Sequence, residues 1–378
     1  MKILLKGYYG FGNLGDDILL KVTYTNLRRR FSCQEIDVFS NYNENLNGFE
    51  KPLGYNHYIF KILGDRPSLI DWTHQRQYDY LIDGGGGIYF GQTKGKWYYF
   101  VLNYFVRLLG VSRIYLIDSW LRRIIGRPRR IKFNNRVGIG LGIGEYHKGF
   151  AHLFSQFSDI GSYNQLLVRD PESEKLLRQY GYRGTCGVFA DLAFLTEDWR
   201  PIITRQPVSK SIAIVLLDFK RDIDNMFQSI LNFEEAAIKR GYTVNYFSID
   251  DVMDKGYRER FRTKTLFNWK PNEITLSDYL NLIAQNSIVI SARAHGAILG
   301  ACLGLVPVII PHSQKLVQVS KMFPNASAIY PICSDGPLLN TIEYISLNLE
   351  SCKSAVDLDI AINRKKAQQM MQNFLSLV

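Results

Sequence analysis

Apolar and polar positions break the chain into short β-branched runs separated by helical stretches and glycine-rich turns. Residues 3–5, 35–40, 80–88 and 166–168 read as strands of a first half, and residues 137–143 alternate glycine with apolar side chains as a strand running into a loop. Residues 114–117 are a further short apolar run. In the second half, strands are predicted at 211–217, 243–248, 288–290 and 306–310, with another near 327–329, and helices at 225–240 and 276–285. Strands that alternate with helices in both halves predict mainly parallel sheets. The stretch 197–210 holds two prolines and no apolar period, and reads as a linker between a domain at 1–196 and a domain at 211–378. The pattern over 357–377 is an amphipathic helix that would pack back on the first domain.

Chemistry gathers where strands end, and that edge of an open α/β sheet is where ligands bind. SARAHGAILGACLGLVPVII (291–310) places Arg293 and His295 between a strand and a short helix rich in Ala, Gly and Cys, residues small enough to pack close to a sheet. Arg169 and Asp170 sit at the same kind of junction, before a helix at 172–180. In GYYGFGNLGDD (7–17), Gly10, Gly12 and Gly15 loosen a loop so that backbone can approach a ligand. Asp16 and Asp17 open the helix behind it. Two acids and Asn13 suit hydroxyl recognition or proton transfer better than a pyrophosphate. One acid is expected to cap the helix and the other to face the cleft. Gly84, Gly85, Gly86 and Gly87 end a strand, and four in a row demand close backbone approach to another segment or to a ligand; the cleft is the expected site.

Composition bounds the rest. At 378 residues, 46% hydrophobic and 21% charged, the chain has the make-up of a two-domain globular protein. Five cysteines are spread without metal-ligand spacing, and no histidine has an i,i+4 partner, so no metal site is expected and the thiols read as buried and free in a reducing cytoplasm. The N-terminus is too short and too soon polar for a signal peptide, and no span of about 20 residues is free of charge, so no spanning helix is predicted. The net charge of +11 is uneven. Residues 121–136 carry seven basic side chains and no acid, just after an aromatic segment at 97–110 that reads as a helix. A segment of that kind, 97–136, would seat a protein on an anionic membrane face; a core helix followed by a solvated basic loop is the competing reading. Nucleic acid is not expected, since no recognition module is visible.

GYYGFGNLGDD, IDGGGGIYF, VRDPESEKLL and SARAHGAILGACLGLVPVII followed by Lys315 together resemble the polysaccharide pyruvyl transferase family, in the family's order and over nearly the whole chain. One departure is Ala294 between Arg293 and His295, where many members carry a larger residue. The resemblance implies two Rossmann-like domains in a glycosyltransferase-B-like arrangement. It also implies transfer of a pyruvyl group from phosphoenolpyruvate to sugar hydroxyls, giving a ketal on a cell-surface polysaccharide or its lipid-linked precursor. Phosphoenolpyruvate, with a carboxylate and a phosphate, asks for several cations in one cleft. Arg169, Arg293 and Lys315 are the expected donor ligands. His295 is the expected general acid or base, and Asp16 or Asp17 the group that activates the acceptor hydroxyl. Asn13, Gly12, Gly15 and Gly84 to Gly87 are expected in the acceptor-side loops. No cofactor is expected, and the location implied is cytoplasmic, at the inner membrane face. The rival readings are a glycosyltransferase of the same architecture with a nucleotide-sugar donor, and a non-catalytic relative that binds a glycan precursor.

Overall fold

The computed structural model describes residues 1–32, 34–39, 55–71, 74–89, 104, 106, 108–125, 131–144, 150–204, 208–217, 223–326 and 338–378. Two parallel sheets organise them. The first contains β1 (Lys2–Lys6), β2 (Glu35–Phe39), β3 (Leu69–Ile70), β4 (Arg76–Tyr89), β5 (Ile131–Ile143), β6 (Gln165–Val168) and β7 (Thr185–Val188), in the order β3-β2-β1-β4-β5-β6-β7. The second contains β8 (Ser211–Val215), β9 (Thr243–Ser248), β10 (Leu266–Asn268), β11 (Ile288–Ser291) and β12 (Val306–Ile309), in the order β10-β9-β8-β11-β12. Strand order reverses between β1 and β4 in the first sheet and between β8 and β11 in the second. Such switch points leave a crevice beyond the strand ends. The loops at 7–13 and 292–293 leave from these points.

Helices connect the strands. In the first half they are α1 (Leu14–Arg30), α2 (Tyr55–Leu63), α3 (Val111–Ile124), α4 (Phe150–Gly161) and α5 (Pro171–Gln179). In the second half they are α6 (Ile223–Lys239), α7 (Lys255–Arg260), α8 (Leu276–Ala284), α9 (Ala294–Cys302), α10 (Gln314–Ser320), α11 (Leu338–Leu347) and α12 (Leu349–Leu377). Local chemistry sets several of the starts. Asn13 caps α1, its side chain accepting from the N–H groups of Gly15 and Asp16. Asp170 caps α5, which has proline in its first turn. Every residue of α9 is buried. Its small residues permit this: a Cβ on Gly296 would lie 2.4 Å from Ser291 Oγ, and one on Gly300 would lie 2.5 Å from Val289 Cγ1.

The two halves are joined directly at the crevice. Leu14 N donates to Ile249 O (2.9 Å) and Asp251 N to Gly12 O (2.9 Å), so that Asn13 and Asp250 form an antiparallel bridge. One apolar cluster runs through both sheets and α12, from Ile3 and Ile139 to Ile290 and Phe374. α12 is tied to the second half by Asn363 Nδ2, which donates to Met322 O (2.6 Å). It is tied to the first half by Arg364, which donates to Phe194 O and to Thr196 Oγ1 (2.8 Å), and by Tyr80 Oη, which donates to Leu377 O (3.1 Å).

Several expectations change. The run at 114–117 lies inside α3, because a short apolar run does not itself distinguish a strand from a helix. The last helix starts at Leu349, well before residue 357. β4 starts four residues earlier than expected, at Arg76, and carries the four glycines to its end at Tyr89. The strand expected near 327–329 and part of the aromatic segment fall outside the described residues.

Candidate active site

The N-terminal ends of α1 and α9 meet across the crevice. His295 is the second residue of α9, and Gly15 lies in the first turn of α1. A Cβ on Gly15 would sit 1.8 Å from His295 Nδ1, so only glycine leaves room for the imidazole. His295 is 7% exposed, with Nε2 3.6 Å from Asp191 Oδ2. Asp191 is fully buried just past β7. Its Oδ1 accepts from Ala193 N (3.0 Å) and its Oδ2 from Arg169 Nη1 (2.9 Å). Burial alone would raise the Asp191 pKa, but His295 and Arg169 outweigh it and hold the carboxyl well below its ordinary range. Arg169 is itself buried, with Nε 3.7 Å from Asp170 Oδ2.

A second set of charges lies beside the first. Burial, reinforced by Asp250, pushes Asp16 up to about 6, against the pull of His295, Lys315 and Arg169. Burial pushes Lys315 on α10 down to about 8, helped by Arg169 and Arg293 and opposed by Asp16 and Asp191. Arg293 pairs with Asp254 through Nη2, and its Nη1 lies 3.6 Å from Asp250 Oδ2. The same Asp250 oxygen accepts from Asn13 Nδ2 (2.8 Å), and the other accepts from Val252 N and Met253 N. Tyr8 stacks on Phe11 with ring centroids 4.2 Å apart. Its hydroxyl pKa is raised above the usual phenol range by burial and by Asp250 and Asp16.

Three buried side-chain atoms here have no hydrogen-bond partner among the described residues: Arg169 Nε, Arg293 Nε and His295 Nε2. Buried polar atoms are ordinarily paired. All three such atoms lie in one cluster, with Lys315 alongside.

The crevice thus brings together Arg169, Arg293, His295, Lys315, Asp16 and Asn13. It excludes Asp17, which is fully buried and accepts from Trp269 Nε1 (2.9 Å). That carboxylate ties α1 to the second half instead of facing the cleft, and the capping role expected of an acid belongs to Asn13. The glycine run needs correction as well. A Cβ on Gly84 would meet Tyr9 Oη at 2.5 Å, and one on Gly85 would meet Leu19 Cβ at 2.8 Å, so these two admit the first loop and α1 onto β4. Both Gly85 and Gly86 have positive φ, which an L side chain rarely adopts. Gly86 approaches Asp16, with a Cβ there 2.6 Å from Oδ1. Gly87 is exposed, and Gly12 contributes its carbonyl to the junction. Asp191, Asp250, Asp254 and Tyr8 were missed. The first two follow strands β7 and β9 closely, the same position that singled out Arg169.

The polysaccharide pyruvyl transferase family model matches residues 13–314. The chain belongs to this family. The match opens at the α1 cap and stops one residue before Lys315, so it takes in every other charged group of the cluster. No curated protein matches the chain significantly. Among solved structures, the Staphylococcus aureus MnaA–UDP complex is similar, with a TM-score of 0.55, 7% identity, and coverage of 100% of this chain and 98% of that one. UDP-GlcNAc 2-epimerase from Neisseria meningitidis bound to UDP-GlcNAc has a TM-score of 0.53, 11% identity, and coverage of 100% and 99%. The Methanocaldococcus jannaschii UDP-GlcNAc 2-epimerase has a TM-score of 0.51, 11% identity, and coverage of 93% and 100%. Such likenesses establish a glycosyltransferase-B-like fold for this polysaccharide pyruvyl transferase.

Proposed function

We propose that this pyruvyl transferase takes its group from phosphoenolpyruvate and delivers it to two hydroxyls of one sugar as a cyclic ketal. The observation that supports this reading is the cluster of three buried atoms without a hydrogen bond, Arg169 Nε, Arg293 Nε and His295 Nε2, beside Lys315. Arginine and lysine pair with the donor's phosphate and carboxylate. A proton passes to the methylene carbon, from His295 as general acid, and positive character develops at the adjacent carbon. The first hydroxyl attacks there and gives up its proton to Asp16, which is mostly ionised at neutral pH with a pKa of about 6. Phosphate leaves with the bridging oxygen. The second hydroxyl then adds to the same carbon and gives its proton to His295, now a neutral base, which restores the imidazolium; the proton on Asp16 leaves with the phosphate. The products are one ketal and one inorganic phosphate. Asp191, buried and ionised, faces the imidazole and holds Arg169 in place.

A thermal shift tests the donor without knowledge of the acceptor, because a ligand of the folded state raises the melting temperature by mass action. Phosphoenolpyruvate is expected to raise it, and Arg293→Ala to abolish the shift. A rise with UDP-GlcNAc and none with phosphoenolpyruvate would overturn the reading in favour of a nucleotide-sugar donor.

A further inference from the structure

Helix α3 is apolar on its outer face as well as its inner one. Its inner face is buried through Val111, Ile114 and Asp118, and Asp118 accepts from Ser158 Oγ (2.8 Å) and from Arg122 Nε (2.8 Å). Its outer face is apolar too: Leu116, Ile117, Trp120, Leu121, Ile124 and Ile125 are between 40% and 65% exposed. These positions recur at three- and four-residue intervals, so they form one stripe along the helix. A contiguous apolar patch of this kind is rare on a soluble surface and marks an interaction site. The exposed arginines Arg113 and Arg123 accompany the stripe, and Lys132 is exposed at the start of β5. The one acid of the helix, Asp118, points inward. At 14 residues the helix is about 21 Å long, too short to cross a bilayer. No helix among the described residues is long and apolar enough to do so.

We propose that the outer face of α3 is a docking surface for an anionic lipid bilayer, with the stripe immersed among the headgroups and the arginines pairing with lipid phosphates. Charge selects this occupant over a second copy of the chain. Two such helices apposed would bring cations against cations with no exposed acid of α3 to answer them, whereas an anionic leaflet complements them. Apolar side chains, tryptophan among them, flanked by arginine are the composition of an interfacial helix. The inference stands on the helix alone and does not depend on the donor assigned above.

Vesicle co-sedimentation of the full chain tests it, with phosphatidylcholine alone set against phosphatidylcholine containing phosphatidylglycerol. Binding is expected only with the anionic lipid and is expected to weaken with salt. Each of Arg113→Glu and Arg123→Glu is expected to weaken it by at least about fivefold. Trp120→Ser combined with Ile124→Ser should abolish it with an unchanged melting temperature. Should that pair destabilise the protein, Trp120→Phe decides the point: a blue shift of tryptophan emission on anionic vesicles is expected in the parent and lost in this variant. No binding at low salt would overturn the proposal. So would a concentration-dependent dimer that the Trp120 and Ile124 substitutions dissolve while vesicles remain unbound, which would assign the face to a second copy.

Discussion

Replacing Gly15 by alanine tests the meeting of α1 and α9 directly. The added methyl carbon would lie 1.8 Å from His295 Nδ1, 2.3 Å from Cγ and 2.7 Å from Cβ. The imidazole must retreat by about 2 Å to reach ordinary van der Waals contact. Misplacing a catalytic group by about 1 Å costs on the order of 10²-fold in rate. The effect on the fold is smaller, because terms of opposite sign partly cancel. Overpacking costs about 1–3 kcal/mol, while alanine is better than glycine in a helix by about 1 kcal/mol. The expected result is therefore a large loss of turnover with a melting temperature lowered by a few degrees. Turnover is followed as phosphate released from phosphoenolpyruvate over a panel of sugar acceptors. The His295 imidazole is followed by proton NMR, assigned by comparison with His295→Gln, and its resonance is expected to shift. The double variant Gly15→Ala, His295→Ala should be no slower than His295→Ala alone, since both changes act through one side chain. Wild-type turnover in Gly15→Ala, with an unmoved imidazole resonance, would refute the reasoning.

Asp16 binds its proton more tightly folded than unfolded, so its ionisation destabilises the fold as pH rises from about 4 to about 6. Asp16→Asn should be more stable than the parent at neutral pH by about 3 kcal/mol, with the advantage vanishing below about pH 4 and turnover lost; melting curves across that range check it, and an advantage independent of pH would contradict the assignment. Asp17→Asn should retain turnover and Trp269→Phe should lower stability by about 1.5–3 kcal/mol, as denaturant titration would measure; loss of turnover in Asp17→Asn at unchanged stability would return that residue to the chemistry. Tyr8→Ala should raise KM for the sugar and leave the thermal shift with phosphoenolpyruvate intact, because the ring is part exposed; a lost donor shift would place Tyr8 on the donor instead.

The strand-end rule made Arg169, Arg293 and His295 legible, because a parallel sheet always presents its ligands at one edge. The partners of those residues were not legible for a physical reason. Asn13 and Asp250 are 237 positions apart, and Asp17 and Trp269 are 252 apart, so neither pair leaves a periodic or local mark. The two consecutive acids of α1 look equivalent along the chain. Only the helix direction and the indole of the opposite half separate a buried tether from a cleft carboxylate. The glycine run announced a close approach but could not say to what; Tyr9, Leu19 and Asp16 supply the answer for three of the four. In α3 the apolar residues were visible, yet which of them the first sheet would cover depended on where α4 lay.

α12 begins among the contacts of the second half and ends against β4 of the first, so it belongs to neither half alone. A chimera that joins the first half of this enzyme to the second half of a relative would inherit a last helix shaped for the wrong partner. Arg364 would no longer find Phe194 and Thr196, nor Leu377 find Tyr80. Any recombination that exchanges one half while keeping the other must therefore carry the outer part of α12 along with the first half. The exchangeable unit is discontinuous in sequence although it is continuous in space.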